Sequence, residues 1–171
     1  MTASPTDHIV RERRAIRALT LPGLIRLVTE IDDNGPISQK RGSLQGALGD
    51  LPLGHLRHAI DTARDLGLVH AGGHATVRYQ LTASGKDLAE FYDTAARWAR
   101  ARQLPSPVSD FVARVQHALQ AEDDGSPYTG ATPEPPTPRA ALSAWLTAHP
   151  RLLRRDTAPC LEAAQESGRA A

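Results

Sequence analysis

Four of the seven histidines fall between residues 55 and 74, among basic side chains. His55, Arg57, His58 and Thr62 share one stretch, LGHLRHAIDTARDL, residues 53–66. Imidazole, guanidinium and hydroxyl groups so spaced suit two chemistries. Neutral imidazoles ligate metal ions, and cationic or hydrogen-bonding groups hold anions. His55 and His58 stand three apart, so on a helix they share a face. His70 and His74 belong to a later stretch that projects elsewhere. No cysteine or acid has the spacing to complete a metal site, so none is expected. The anion reading fits better, because a histidine beside a phosphate favours its charged form. Lys40, Arg41, Arg64 and Arg78 join Arg57 between residues 36 and 80, against Asp50, Asp61 and Asp65. The competing reading is an ordinary solvated helix face.

No other group of residues points to catalysis. Asp32-Asp33 and Glu122-Asp123-Asp124 each stand near a glycine at a helix end, where solvated acids are common. Neither group has a nucleophile beside it. The sequence has no GxGxxG, no GKS/T loop and no HExxH. The single cysteine, Cys160, excludes an intrachain disulfide framework and a multi-cysteine zinc centre. Neither an enzyme nor a cofactor is expected.

The chain has 171 residues, 40% hydrophobic and 23% charged, which suits one domain with an appendage. Net charge is +1, which excludes a histone-like protein. Eighteen of the twenty basic residues are Arg, a bias read as the codon usage of a GC-rich genome. No apolar run approaches the ~20 residues of a membrane span. The first residues, MTASPTDHIVRERR, hold no signal-like apolar stretch, so a cytoplasmic protein without membrane contact is the expectation.

The charge is uneven. Residues 1–20 form a basic N-terminal segment, with a helix predicted over 8–19 offering Ile9, Ala15, Ile16 and Leu19. Apolar spacing predicts further helices over 22–34, 43–48, 53–66, 84–102 and 107–121. Pro22 suits a first turn, and Asn34-Gly35-Pro36 suits a left-handed cap followed by a stop. Gly67 stands where another such cap is wanted. Leu68-Val69-His70 and Ala75–Leu81 read as the strands of a hairpin with its tip at Ala71–His74. Thr82 or Ser84 can cap the helix that follows. Residues 124–138, DGSPYTGATPEPPTP, hold five prolines and two glycines and read as a linker. Residues 139–171 form a C-terminal helical segment or tail, with a break at Pro150.

The order over residues 21–102 is helix, short helix, turn, helix, hairpin, long helix. This predicts a mostly α fold with a small β-hairpin wing, a winged helix-turn-helix. SLQGALGDLPLGHLRHAIDTARDLGLV followed by VRYQLTASGKDLAEFYDTAARWA resembles winged-helix bacterial transcription regulators of the HxlR and MarR kinds. The resemblance rests on L-x(2)-A-I-x(5)-LGLV and on YQLTASGKDL. It implies a homodimer that binds pseudo-palindromic double-stranded DNA, with a recognition helix near 53–66 and a wing near 68–81. The chain departs from the pattern at Ala59, where these families usually carry Arg, and at His70, where they often carry a basic residue.

On this reading His55, Arg57, His58 and Thr62 meet base edges or nearby phosphates. Lys40 and Arg41 meet phosphates, and His74 and Arg78 belong to the wing. The expected function is sequence-specific transcriptional regulation, most simply repression. The alternative is a winged-helix protein-interaction module without DNA binding. The stripe Leu88, Phe91, Tyr92, Ala95, Trp98, Ala99 can be core or dimer seam. Residues 103–123 read as a dimerisation or packing helix, and their apolar area, with that of 8–19 and 84–102, suggests pairing between subunits. An apolar pocket between 84–102 and 107–121 would suit a small-molecule effector, which the sequence does not name.

Overall fold

A computed structural model describes residues 5–71, 78–120 and 137–154. Their elements run α1 (Pro5–Leu19), α2 (Pro22–Asn34), β1 (Ile37–Ser38), α3 (Arg41–Ala47), α4 (Leu53–Asp65), β2 (Val69–Ala71), β3 (Arg78–Leu81), α5 (Ala83–Ala101), α6 (Phe111–Gln120), α7 (Pro138–Ala148) and α8 (Pro150–Arg154). The molecule is rich in helix, with one small antiparallel sheet.

Helix α2 occupies its predicted span because Leu24, Ile25, Leu27, Val28 and Ile31 all reach the core. It does not end in the predicted left-handed cap. Gly35 takes φ +78° but ψ −166°, so the chain leaves the helix extended. That exit leads into β1, a strand absent from the sequence reading, because two residues carry no period to detect. Pairing with β3 creates it, Ile37 opposite Tyr79 and Ser38 opposite Arg78. On its other edge β3 pairs with β2, Val69 opposite Leu81 and His70 opposite Gln80. The order is therefore β1-β3-β2. A lone hairpin is marginal in water, and a third strand with an apolar underside stabilises it. Ile37, Val69 and Leu81 supply that underside. The predicted tip shortens at one end, since Ala71 closes β2; residues 72–77 lie outside the described part.

Helix α3 starts at Arg41, two residues before the predicted start, because the Lys40 carbonyl already accepts from the Ser43 and Leu44 amides. Helix α4 covers Leu53–Asp65 and closes on Gly67 at φ +66°, a value that suits glycine. The Gly67 amide donates to Arg64 O at 2.9 Å and the Leu68 amide to Ala63 O at 2.8 Å. These two bonds satisfy carbonyls that the helix end would leave open.

Helix α6 starts at Phe111 rather than 107. Asp110 Oδ1 accepts from the Ala113 amide at 2.7 Å and sets the start. Val108, predicted on the apolar face of this helix, stands in the preceding turn and is 93% exposed. Pro138, predicted as the last linker residue, is buried and opens α7 behind the cap Thr137. The predicted break at Pro150 separates α7 from α8.

The core is continuous from α1 to α8. Leu142, Leu146 and Leu152 join Leu88, Tyr92, Val115 and Leu119 in one cluster. The C-terminal segment thus docks back as far as the described residues go. The apolar area assigned by sequence to a seam between subunits is largely covered within the chain: Leu19, Leu88, Ala95, Ala99, Val115 and Leu119 are buried. Phe91 and Trp98 are half-buried, and the Arg102 guanidinium lies 4.3 Å from the centre of the Trp98 ring system. No described helix is long and apolar enough to cross a membrane.

Candidate nucleic-acid interface

Helices α3 and α4 meet through the turn at residues 48–52. Leu48 is fully buried and pins it, and the Leu51 amide donates to Leu48 O at 3.0 Å. Helix α4 then divides its residues sharply. Leu56, Ala59, Ile60 and Ala63 face the core. His55, Arg57, His58, Asp61, Arg64 and Asp65 are exposed. Thr62 is only half-buried and stands at the edge of that face.

Ala59 stands beside the apolar residues of α4, as the helical period placed it. It is 1% exposed and lies against α2. A Cβ on Gly23 would sit 3.2 Å from the Ala59 Cβ and 3.3 Å from the His55 carbonyl oxygen. Two helix backbones approach closely there, and a long side chain at 59 has no room. The absence of Arg at this position is a packing requirement of this chain, not a loss of charge from the exposed face.

Lys40 is exposed at the N-cap of α3. Arg41 is the first residue of α3, which places it beside Lys40 in the chain. Arg78 is exposed at the start of β3, across from Ser38. His70 is exposed on β2, across from Gln80. His74 lies outside the described residues, as do Cys160 and Glu122-Asp123-Asp124. Asp32 and Asp33 are exposed at the end of α2.

A groove of about 410 Å³ runs between α3, α4 and β3. Gln39, Gln45, Arg57, Asp61, Arg64 and Tyr79 supply its polar groups. The fold brings the α4 cations Arg57 and Arg64 and the carboxylate Asp61 together with two amides and a phenol. Sequence reasoning missed Gln39, Gln45 and Tyr79, which belong to three separate segments. Amides and guanidinium groups are the usual partners of base edges, and the groove offers both donors and acceptors.

Asp50, counted by sequence as an acid opposing the basic residues, is paired. Arg26 of α2 donates Nε to its Oδ2 at 3.1 Å and Nη2 to its Oδ1 at 3.2 Å. This fork holds the Asp50 carboxyl below the usual carboxylate range and raises Arg26. Twenty-four residues separate the partners, so no local pattern announces the pair.

Among the described residues no three His, Cys, Asp or Glu side chains gather in a way that could hold a metal ion. Where α5 and α6 pack together, Ala95, Ala99, Val115 and Leu119 are buried. A cleft of about 630 Å³ beside the start of α6 is lined by Arg26, Asp33, Asp50, Asp93 and Asp110 and by the apolar Leu51, Phe111 and Val112. Comparison with protein-family models, curated proteins and solved structures finds no match for this chain.

Proposed function

We propose that this chain is a winged helix-turn-helix regulator that binds double-stranded DNA through α4. The observation that carries the reading is the placement of α4. It follows a short helix and a tight turn, buries one face against α2, and leaves His55, Arg57 and His58 exposed ahead of an antiparallel sheet. The major groove admits one α-helix, and the N-terminal half of such a helix reaches base edges. Lys40 and Arg41 then meet phosphates, Arg57, His55 and His58 meet bases, and Thr62 flanks them. Arg78 and His74 place the wing against the backbone. The assembly is a cytoplasmic homodimer acting as a repressor, with recognition helices about 34 Å apart.

One observation favours a second reading. Asp61 and Asp65 share the exposed face of α4 with Arg57 and His58, and mixed charge of this kind also suits a protein partner.

Fluorescence anisotropy separates the two. The purified protein is titrated with DNA from upstream of its own gene and with shuffled DNA, over a salt series. Selective binding with a steep negative salt slope is expected. Affinity that ignores both sequence and salt would sink the DNA reading and leave the protein module. Within the DNA reading, Arg57→Ala should lower discrimination between the two DNAs by about tenfold, the worth of one base contact. Lys40→Ala should weaken binding to both alike and flatten the salt slope by about one. Equal losses on both DNAs from both variants would contradict these roles.

A further inference from the structure

We infer that Arg26, which lies off the exposed face of α4, determines sequence selectivity by fixing the tilt of that helix. The inference rests on the DNA reading above.

Helix α2 packs along the buried face of α4, Leu56, Ala59, Ile60 and Ala63, and two of the contacts are directional. The first is the close approach of Gly23 to Ala59 and to the His55 carbonyl. The second is the fork from Arg26 to Asp50, at the turn from which α4 starts. Gly23 and Arg26 are three residues apart on α2, so both act from one helix face. His55, Arg57 and His58 lie between the two gripped positions in the chain. The buried face holds α4 against α2 but apolar packing is not directional, and the fork adds an oriented constraint at the N-terminal end.

The lever is long enough to matter. Pro52 and Ala59 are separated by about 10 Å of helix axis. A pivot of about 10° therefore moves one end by about 2 Å relative to the other. Hydrogen bonds to base edges weaken steeply over much smaller displacements. Phosphate contacts by long flexible side chains tolerate them better.

The fork suits positioning better than stability. Its partners are 34% and 55% exposed, and ion pairs so open to water add little to folding. Its value lies in geometry, since a planar guanidinium meets a carboxylate in one orientation through two bonds. Lysine keeps the charge and loses the orientation. Glu30 and Asp110 also act on the Arg26 charge, so a lysine there stays among acids while releasing the turn.

The test uses the full chain and the duplex it enriches from a random-sequence library, with shuffled DNA as control. Arg26→Lys and Asp50→Asn should unfold within a few degrees of the parent. Both should bind shuffled DNA as the parent does and lose about tenfold in the ratio of enriched to shuffled affinity. The reciprocal double variant, Arg26→Asp with Asp50→Arg, should recover part of that ratio. A ratio unchanged in both single variants overturns the inference, as does an equal loss on both DNAs. If the parent enriches no duplex, the DNA reading itself fails. The grip is then read without DNA, from residual dipolar couplings of α4 relative to α2. Couplings that change in Arg26→Lys support the grip, and identical couplings overturn it.

Discussion

Tyr92 shows how one side chain joins distant parts of the chain. Its hydroxyl donates to Leu19 O at 2.6 Å, across 73 residues. Gln116 Nε2 does the same to Thr20 O at 2.8 Å. Both carbonyls lie where α1 ends, and such groups need partners when buried. The stripe that sequence placed as either core or seam is core at this residue, since Tyr92 is completely buried. Tyr92→Phe should cost about 1–3 kcal/mol, read by urea unfolding, because the Leu19 carbonyl loses its phenol donor. The same burial raises the phenol well above its ordinary pKa. An unfolded phenol ionises near pH 10 while the folded one stays neutral. The contribution is therefore complete below about pH 10 and declines above it. Tyr92→Phe should make stability fall less steeply with pH in that alkaline window. An unchanged slope would contradict the assignment.

The joint between the sheet and α5 is the informative unit at the scale of elements. Thr82 Oγ1 accepts from the Gly85 amide at 3.2 Å, and it donates to Gly67 O at 2.7 Å. The Thr82 amide donates to Leu68 O at 2.9 Å. One residue thus caps α5 and ties it to the end of α4. Gly85 lets the helix come this close, because a Cβ there would run into the Leu68 carbonyl. The run LTASG is therefore a packing device, whatever the sheet contacts. Gly85→Ala should destabilise by about 1–3 kcal/mol, since backbone cannot yield as a flexible side chain can. Thermal unfolding checks this. A gain in stability, as expected for alanine in an unobstructed helix, would show that the joint has slack.

The whole molecule depends on its C-terminal helices. Helix α7 packs on α5, α6 and α1, so residues past the proline-rich stretch complete the core that the earlier ones begin. Leu146 is 1% exposed. Leu146→Ala should cost about 2–5 kcal/mol in a single cooperative transition, as for a residue of a shared core. A biphasic transition, with the α4 region melting separately, would divide the molecule into two units. The internal covering of α5 and α6 also changes where a second subunit can attach. Among the described residues Ile9 and Val10 on α1 remain exposed at 49% and 60%, and Val108 at 93%. Surfaces of this kind, polar ones, and the half-buried Phe91 and Trp98 of the α5 stripe are what the described residues offer a second subunit.

Local regularity made much of this legible. Apolar residues at spacings of three and four located α2 and α4 to within a residue, because a helix face repeats in sequence as it does in space. Gly67 marked the end of α4, and Thr82 or Ser84 the start of α5, because a positive φ and an oxygen acceptor are requirements of single residues. His55, His58 and Arg57 were placed on an exposed face by the same period. Three things came only from the tertiary structure. Strand β1 exists because β3 pairs with it. Ala59, which the period already set beside the apolar residues, meets Gly23 of another helix as its close partner. Asp50 is held by a cation 24 residues away in the chain. Each is a contact between segments whose sequences carry no mutual period, and only the packing of the complete chain decides which segments meet.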